Sequence, residues 1–158
     1  MGRGQAYYIE FVVVLCVFVV ALGLFVQNVT NSMDSSGLSI ISKEARIVSD
    51  QLMSAGIPAD WNFTNMQRLG LTNGLSRINE TKLMMFRNMS YSSIKNNLSI
   101  NSDFYFYLEH KNETRIAIGG EQGIGAEPAD AKKIVKNLRL VIYNSEAVRM
   151  VVLIWQKA

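Results

Sequence analysis

Glu10 is the side chain in this sequence with the most chemical leverage, because it stands one position ahead of Phe11–Val26, sixteen residues without a charged or strongly polar group. A carboxylate on a helix that enters hydrocarbon costs about 3 kcal/mol unless it stays at the interface or meets a cation. Other candidates are thinner. His110 is the one histidine and Cys16 the one cysteine, whereas a metal site takes three or four ligands at set spacing and a Ser-His-Asp arrangement needs an orienting partner for its base. His110 is expected on the surface of a turn. The segment Gly119-Gly120-Glu121-Gln122-Gly123-Ile124-Gly125-Ala126-Glu127-Pro128 is glycine-rich, but it is acidic and no Gly-Lys-Ser or Gly-Lys-Thr follows it. It reads as a flexible hairpin loop, not a phosphate cradle. No catalytic residue, metal ligand or cofactor is expected, and the chain reads as a protein that is not an enzyme.

A second chemistry is written on the asparagines. Asn28, Asn62, Asn79, Asn88, Asn97 and Asn112 each begin an Asn-x-Ser/Thr triplet, the acceptor pattern for N-glycosylation. Thirteen asparagines with nineteen serines and threonines in 158 residues give roughly one to two such triplets by chance. Six is an excess. Their use implies an oligosaccharyltransferase as a partner and an extracytoplasmic compartment, with some of the six expected to stay unmodified.

The elements that must carry these groups begin with a membrane segment. Residues 6–26 approach the ~20 residues that an α-helix needs to cross ~30 Å of hydrocarbon. A chain of 158 residues is too small to bury such a run on all its faces. Arg3 precedes the run and no Lys or Arg follows until Lys43. The positive-inside rule therefore keeps the amino terminus cytoplasmic and sends the remainder out, which agrees with the sequons. Membrane lipid is thus one expected partner. The net charge of +3 is spread too thinly for a nucleic-acid footprint. With its one cysteine inside the apolar run, the remainder has no disulfide framework and must be held by packing.

No small-residue cleavage pattern follows the run, where Gln27-Asn28-Val29-Thr30-Asn31 stands; small residues lie in front of it. A short basic leader, Gly4-Gln5 at the junction, Glu10 within the next few positions and then a long apolar helix resemble the class III signal peptide of archaeal type IV pilins. The resemblance implies that a prepilin-peptidase-like protease removes residues 1–4, that Gln5 becomes the new amino terminus, and that Glu10 is the assembly acid pairing with the free amino group of a neighbouring subunit. Cleavage after Gly4 makes Glu10 the sixth mature residue; cleavage after Gln5 makes it the fifth, the usual position of the family.

Helical periodicity continues beyond the membrane run. Leu38, Ile41, Ala45, Val48 and Leu52 recur at three- and four-residue spacing, with Lys43, Glu44, Arg46 and Asp50 on other faces. One long helix is expected over 5–54, apolar all round in its first half and one-sided in its second. Asn31-Ser32-Met33-Asp34-Ser35-Ser36-Gly37, a run of weak helix formers, predicts a kink or brief melting. Ala55-Gly56-Ile57-Pro58 predicts the end.

Residues 55–158 then read as an extracytoplasmic head. Irregular chain to Ser76 is followed by two short helical patterns, Asn79–Phe86 and Ser90–Leu98. The string Gly56-x-Pro58-x-x-Trp61, Arg68-x-Gly70-Leu71 and Arg77-Ile78-Asn79-x-Thr81-Lys82-Leu83 resembles a module of archaeal class III signal-peptide proteins of the pilin type, to which no catalytic residue is attached. From Ser102 the period changes to two. Strands are expected at Phe104–Leu108, Arg115–Ile118, Ile134–Tyr143 and Ala147–Trp155, with Phe104 and Phe106 on one face and one aromatic pair at the surface. The expected fold is α+β: a long amino-terminal helix packed against an antiparallel meander of about four strands, with short helices. The resemblance implies a structural subunit of a surface filament, with other pilin subunits as partners. The competing expectation is an uncleaved, glycosylated, membrane-anchored ectodomain for binding or adhesion.

Overall fold

The computed structural model of the chain describes the backbone of residues 3–157 and the side chains of residues 10–27 and 37–157. Its elements are α1 (Arg3–Leu52), α2 (Glu80–Asn88), α3 (Tyr91–Leu98), β1 (Asp103–Glu109), β2 (Arg115–Ile116), β3 (Ile124–Gly125), β4 (Ala131–Tyr143) and β5 (Glu146–Lys157). The fold is α+β. The chain forms two compact units, Met1–Ser39 and Ile40–Ala158.

In the first unit the one element is α1, and it stays helical through Asn31 to Gly37 instead of melting there. Each weak former costs at most about 1 kcal/mol against Ala, and extending a helix that is already nucleated avoids the larger cost of starting another.

In the second unit the last turns of α1 bury Ile41, Ala45, Val48 and Leu52 in the core, all at most 1% exposed. The expected stripe begins one residue too early. Leu38 is exposed, and so are Ile40 and Ile47 on the opposite side of the same helix. Asn79 caps α2 and Ser90 caps α3, each through its side-chain oxygen, as N-cap residues do. Phe86 of α2 meets Phe106 of β1 edge-on at 5.4 Å, and Tyr91 of α3 stacks on Phe104 at 5.1 Å.

The sheet is antiparallel and five-stranded, in the order β2-β1-β5-β4, with β3 also pairing β1. The small antiparallel sheet is as expected, but its strand order corrects the expected meander. β5 enters between β1 and β4, so the last strand pairs the first, from Asp103 opposite Trp155 to Glu109 opposite Arg149. Composition explains the order. β1 and β5 carry the long apolar runs and are buried along most of their length, so they occupy the centre, while lysine-bearing β4 takes an edge. β4 and β5 join through Asn144 and Ser145, whose φ of 49° and 67° are the positive values that a type I′ hairpin turn requires.

The glycine-rich segment is partly sheet rather than loop, since Phe106 faces Ile124 and Tyr105 faces Gly125. Glycine makes this possible: a Cβ at Gly125 would collide with the carbonyl oxygen of Phe104, and its φ is +111°. The aromatic alternation also resolves differently from expectation. Phe104 and Phe106 face the main core, while Tyr105 and Tyr107 are buried too, in a second cluster with Val151 and Leu153. Arg115 covers them, 5.5 Å from the Tyr105 ring and 4.7 Å from that of Tyr107, and is held there by Glu127 at 2.8 Å.

Candidate functional site

The apolar part of α1 is one candidate. Glu10–Gln27 is long and apolar enough to cross a membrane, and none of its residues is buried within the chain. Side chains such as Phe11 and Phe25, both about two-thirds exposed, need hydrocarbon or other helices around them. Glu10 is exposed at the leading end of this stretch, and Cys16 is an exposed free thiol within it. Gly4 and Gln5 belong to the helical backbone, but the side chain of Gln5 lies outside the described residues, as does that of Asn28.

The remaining sequons fall in different settings. Asn62 and Asn112 are exposed in loops, and each side-chain Oδ1 accepts the backbone N–H of the threonine two residues on, at 2.9 Å from Thr64 and 3.2 Å from Thr114. Asn79 is half-buried and its Oδ1 accepts from the Lys82 N–H as the cap of α2. Asn97 lies within α3, where its Nδ2 donates to the Ser93 carbonyl at 2.9 Å. Asn88 is the last residue of α2, and the hydroxyl of its partner Ser90 accepts the Ser93 N–H to cap α3.

A second polar arrangement lies where residues 56–83 converge on the end of α1. Four successive carbonyls, from the last residue of α1 to Ala55 just beyond it, find donors here. Leu71 N–H donates to Leu52 O at 2.9 Å, Thr72 Oγ1 to Met53 O at 2.7 Å, Thr72 N–H to Ser54 O at 3.1 Å, and Lys82 Nζ to Ala55 O at 2.7 Å. Lys82 also donates to Ala59 O at 2.6 Å and Thr72 O at 3.3 Å. Burial pushes its ammonium below the usual lysine range, and Asp60 nearby pulls it back up. A cation at a helix carboxyl end is favoured by the peptide dipoles.

The same cluster explains the spacing of the module. Trp61 Nε1 donates to Gly70 O at 2.8 Å. A Cβ at Gly56, where φ is +83°, would meet the Trp61 ring, and one at Gly70 would meet the backbone of Gly56 and Ser54. Ile57 and Arg68 exchange backbone hydrogen bonds across a cis Ile57-Pro58 bond. Ile78 N–H donates to Ile142 O, tying the module to β4. The motif residues are thus a terminator for α1 and a seat for the head. The sequence pattern shows Lys82 only as a motif letter; its position one turn before Phe86, on the buried face of α2, was the available signal.

His110 is on the surface, 3.6 Å from Glu146 through Nδ1, beside an open hollow that Lys111, Asn112 and Ala147 also line. Among the described residues no group of three His, Cys, Asp or Glu could hold a metal ion. Comparison with family models, with curated protein sequences and with solved structures finds no match.

Proposed function

We propose that this chain is a pilin-like structural subunit of an archaeal type IV pilus-type surface filament, held in the membrane before assembly with its amino terminus cytoplasmic and its head outside. The observation that carries the reading is one helix with two roles: an unburied apolar stretch headed by Glu10, and a continuation whose Ile41, Ala45, Val48 and Leu52 lie in the core of a folded head. Burying the apolar stretches of identical subunits against one another is favourable, and a carboxylate at the leading end fixes the axial register by pairing with the amino group that leader removal frees after Gly4 or Gln5. A prepilin-peptidase-like protease, membrane lipid, other pilin subunits and an oligosaccharyltransferase are the partners this requires.

Exposed apolar side chains on the head support the same reading. Ile40 and Ile47 on α1, and Ile134, Leu138 and Leu140 along edge strand β4, leave surface for neighbouring subunits. The test is Glu10→Gln, which is expected to leave membrane insertion and leader processing intact while lowering incorporation into filaments; normal incorporation would remove the role. An uncleaved, glycosylated ectodomain is the second reading, favoured by the two exposed loop sequons, and it retains residues 1–4.

A further inference from the structure

Asn79-Glu80-Thr81 and Asn112-Glu113-Thr114 are the same triplet placed in two different folds. At Asn79 the side-chain oxygen is committed to the first turn of α2, the residue is half-buried, and Thr81 is already helical. At Asn112 the residue is exposed between β1 and β2, and its Oδ1 accepts the Thr114 N–H within the same turn. Beside it lies an open hollow of about 630 Å³ lined by His110, Lys111, Asn112, Glu146 and Ala147, with polar groups able to hydrogen-bond sugar hydroxyls. Asn62 repeats the arrangement more fully: its Oδ1 accepts both the N–H of Thr64 at 2.9 Å and the Thr64 hydroxyl at 2.6 Å. The neighbouring Trp61 is buried and anchors that loop.

We propose that Asn62 and Asn112 are the glycan acceptors of the head, and that Asn79, Asn88 and Asn97, whose triplets lie in or against α2 and α3, stay unmodified. The donor class is a lipid-linked oligosaccharide. In the transfer, the Nδ2 nitrogen forms a bond to the anomeric carbon, the bond from that carbon to the lipid phosphate oxygen breaks, the lipid phosphate leaves with the electron pair, and one Nδ2 proton is lost to a base of the transferase. What sets the other three apart is that their triplets are built into helices, whereas those of Asn62 and Asn112 lie in exposed loops. Nδ2 of Asn97 donates within α3, Oδ1 of Asn79 caps α2, and the Ser90 hydroxyl that Asn88 needs caps α3. The inference rests on the extracytoplasmic placement of the head proposed above.

The experiment is glycopeptide mass spectrometry of the full chain recovered from cells with extracytoplasmic N-glycosylation, alongside Asn62→Gln and Asn112→Gln. The expected result is occupancy at Asn62 and Asn112, bare peptides at Asn79, Asn88 and Asn97, and loss of one glycan mass in each variant. Glycan on Asn79 with Asn112 bare, or no glycan at any of the five, overturns the assignment. Protease shaving of intact cells reads the placement of the head independently, so a bare but protease-accessible head overturns the acceptor assignment alone, and a protected head overturns the placement as well.

Discussion

The Lys82 ammonium donates to the carbonyl oxygen of Ala55 at 2.7 Å, joining α2 to the chain just beyond α1 across 27 residues of sequence. With Ala59 O and Thr72 O as further acceptors, this one buried side chain holds three segments that share no regular secondary structure. Lys82→Met keeps the buried stem and deletes the donor, leaving three carbonyls short of a partner. It is expected to destabilise the head by about 3 kcal/mol, since each buried unsatisfied group costs on the order of 1–3 kcal/mol and some will recover water. Lys111→Met, on an exposed turn, is expected to change stability by less than about 0.5 kcal/mol. Denaturant midpoints of the full chain in detergent compare the two.

Tyr91 gives the head an alkaline limit. Its hydroxyl donates to Asp103 Oδ1 at 2.7 Å, tying α3 to β1, and burial with that hydrogen bond raises its pKa to about 12 from an ordinary value of 10.0. Between those values the unfolded chain loses a proton that the folded chain keeps, so the stabilisation is fully present below pH 10 and is lost as pH rises towards 12. Tyr91→Phe is expected to flatten this part of the stability profile while lowering stability at neutral pH. Asp103 behaves oppositely: desolvation pushes its carboxyl up, but the hydrogen bonds from Tyr91 and Lys95 outweigh it and hold the group below the ordinary carboxylate range. Its contribution is present at neutral pH and fades as acid protonates it. Thermal unfolding followed across pH reads both limits.

Leu138 and Leu140 project from edge strand β4 with 40% and 66% exposure. Replacing the more exposed Leu140 by Thr, which keeps a strand-forming side chain, removes little buried surface, so stability is expected to change by less than about 1 kcal/mol. If this side chain meets a neighbouring subunit, incorporation into filaments falls while the unfolding midpoint holds. Unchanged incorporation would clear Leu140 of that role.

Much of the fold was legible because its signals are local. The continuous apolarity of Phe11–Val26, the three- and four-residue spacing of Ile41, Ala45, Val48 and Leu52, and the alternation from Phe104 onward each reflect a period set by backbone geometry. The insertion of β5 beside β1 was not legible, because strand order depends on which strands are buried on both faces, and Leu138 and Val151 look alike in sequence while one is at an edge and the other at the centre. Glycine-rich 119–125 looked like pure loop because the reason for Gly123 and Gly125, the nearness of Tyr105 and Phe104, comes from a strand elsewhere in the chain. The same limit applies to the candidate sites. Glu10 stands out by its neighbours in sequence, whereas Lys82 acquires its role only when Ala55, Ala59 and Thr72 are brought to it. The six sequons are identical as a pattern, and the five from Asn62 onward separate only once caps and loops are placed.

The central claim, that α1 is a polymerisation element released by leader removal, is tested most directly by the mass of the amino-terminal peptide of the chain recovered from its membrane or surface fraction. The account predicts a new terminus at Gln5 or the residue beside it, with Glu10 at the sixth or fifth mature position. An amino-terminal peptide that still carries Met1-Gly2-Arg3-Gly4 would contradict it and leave a fixed membrane anchor in its place.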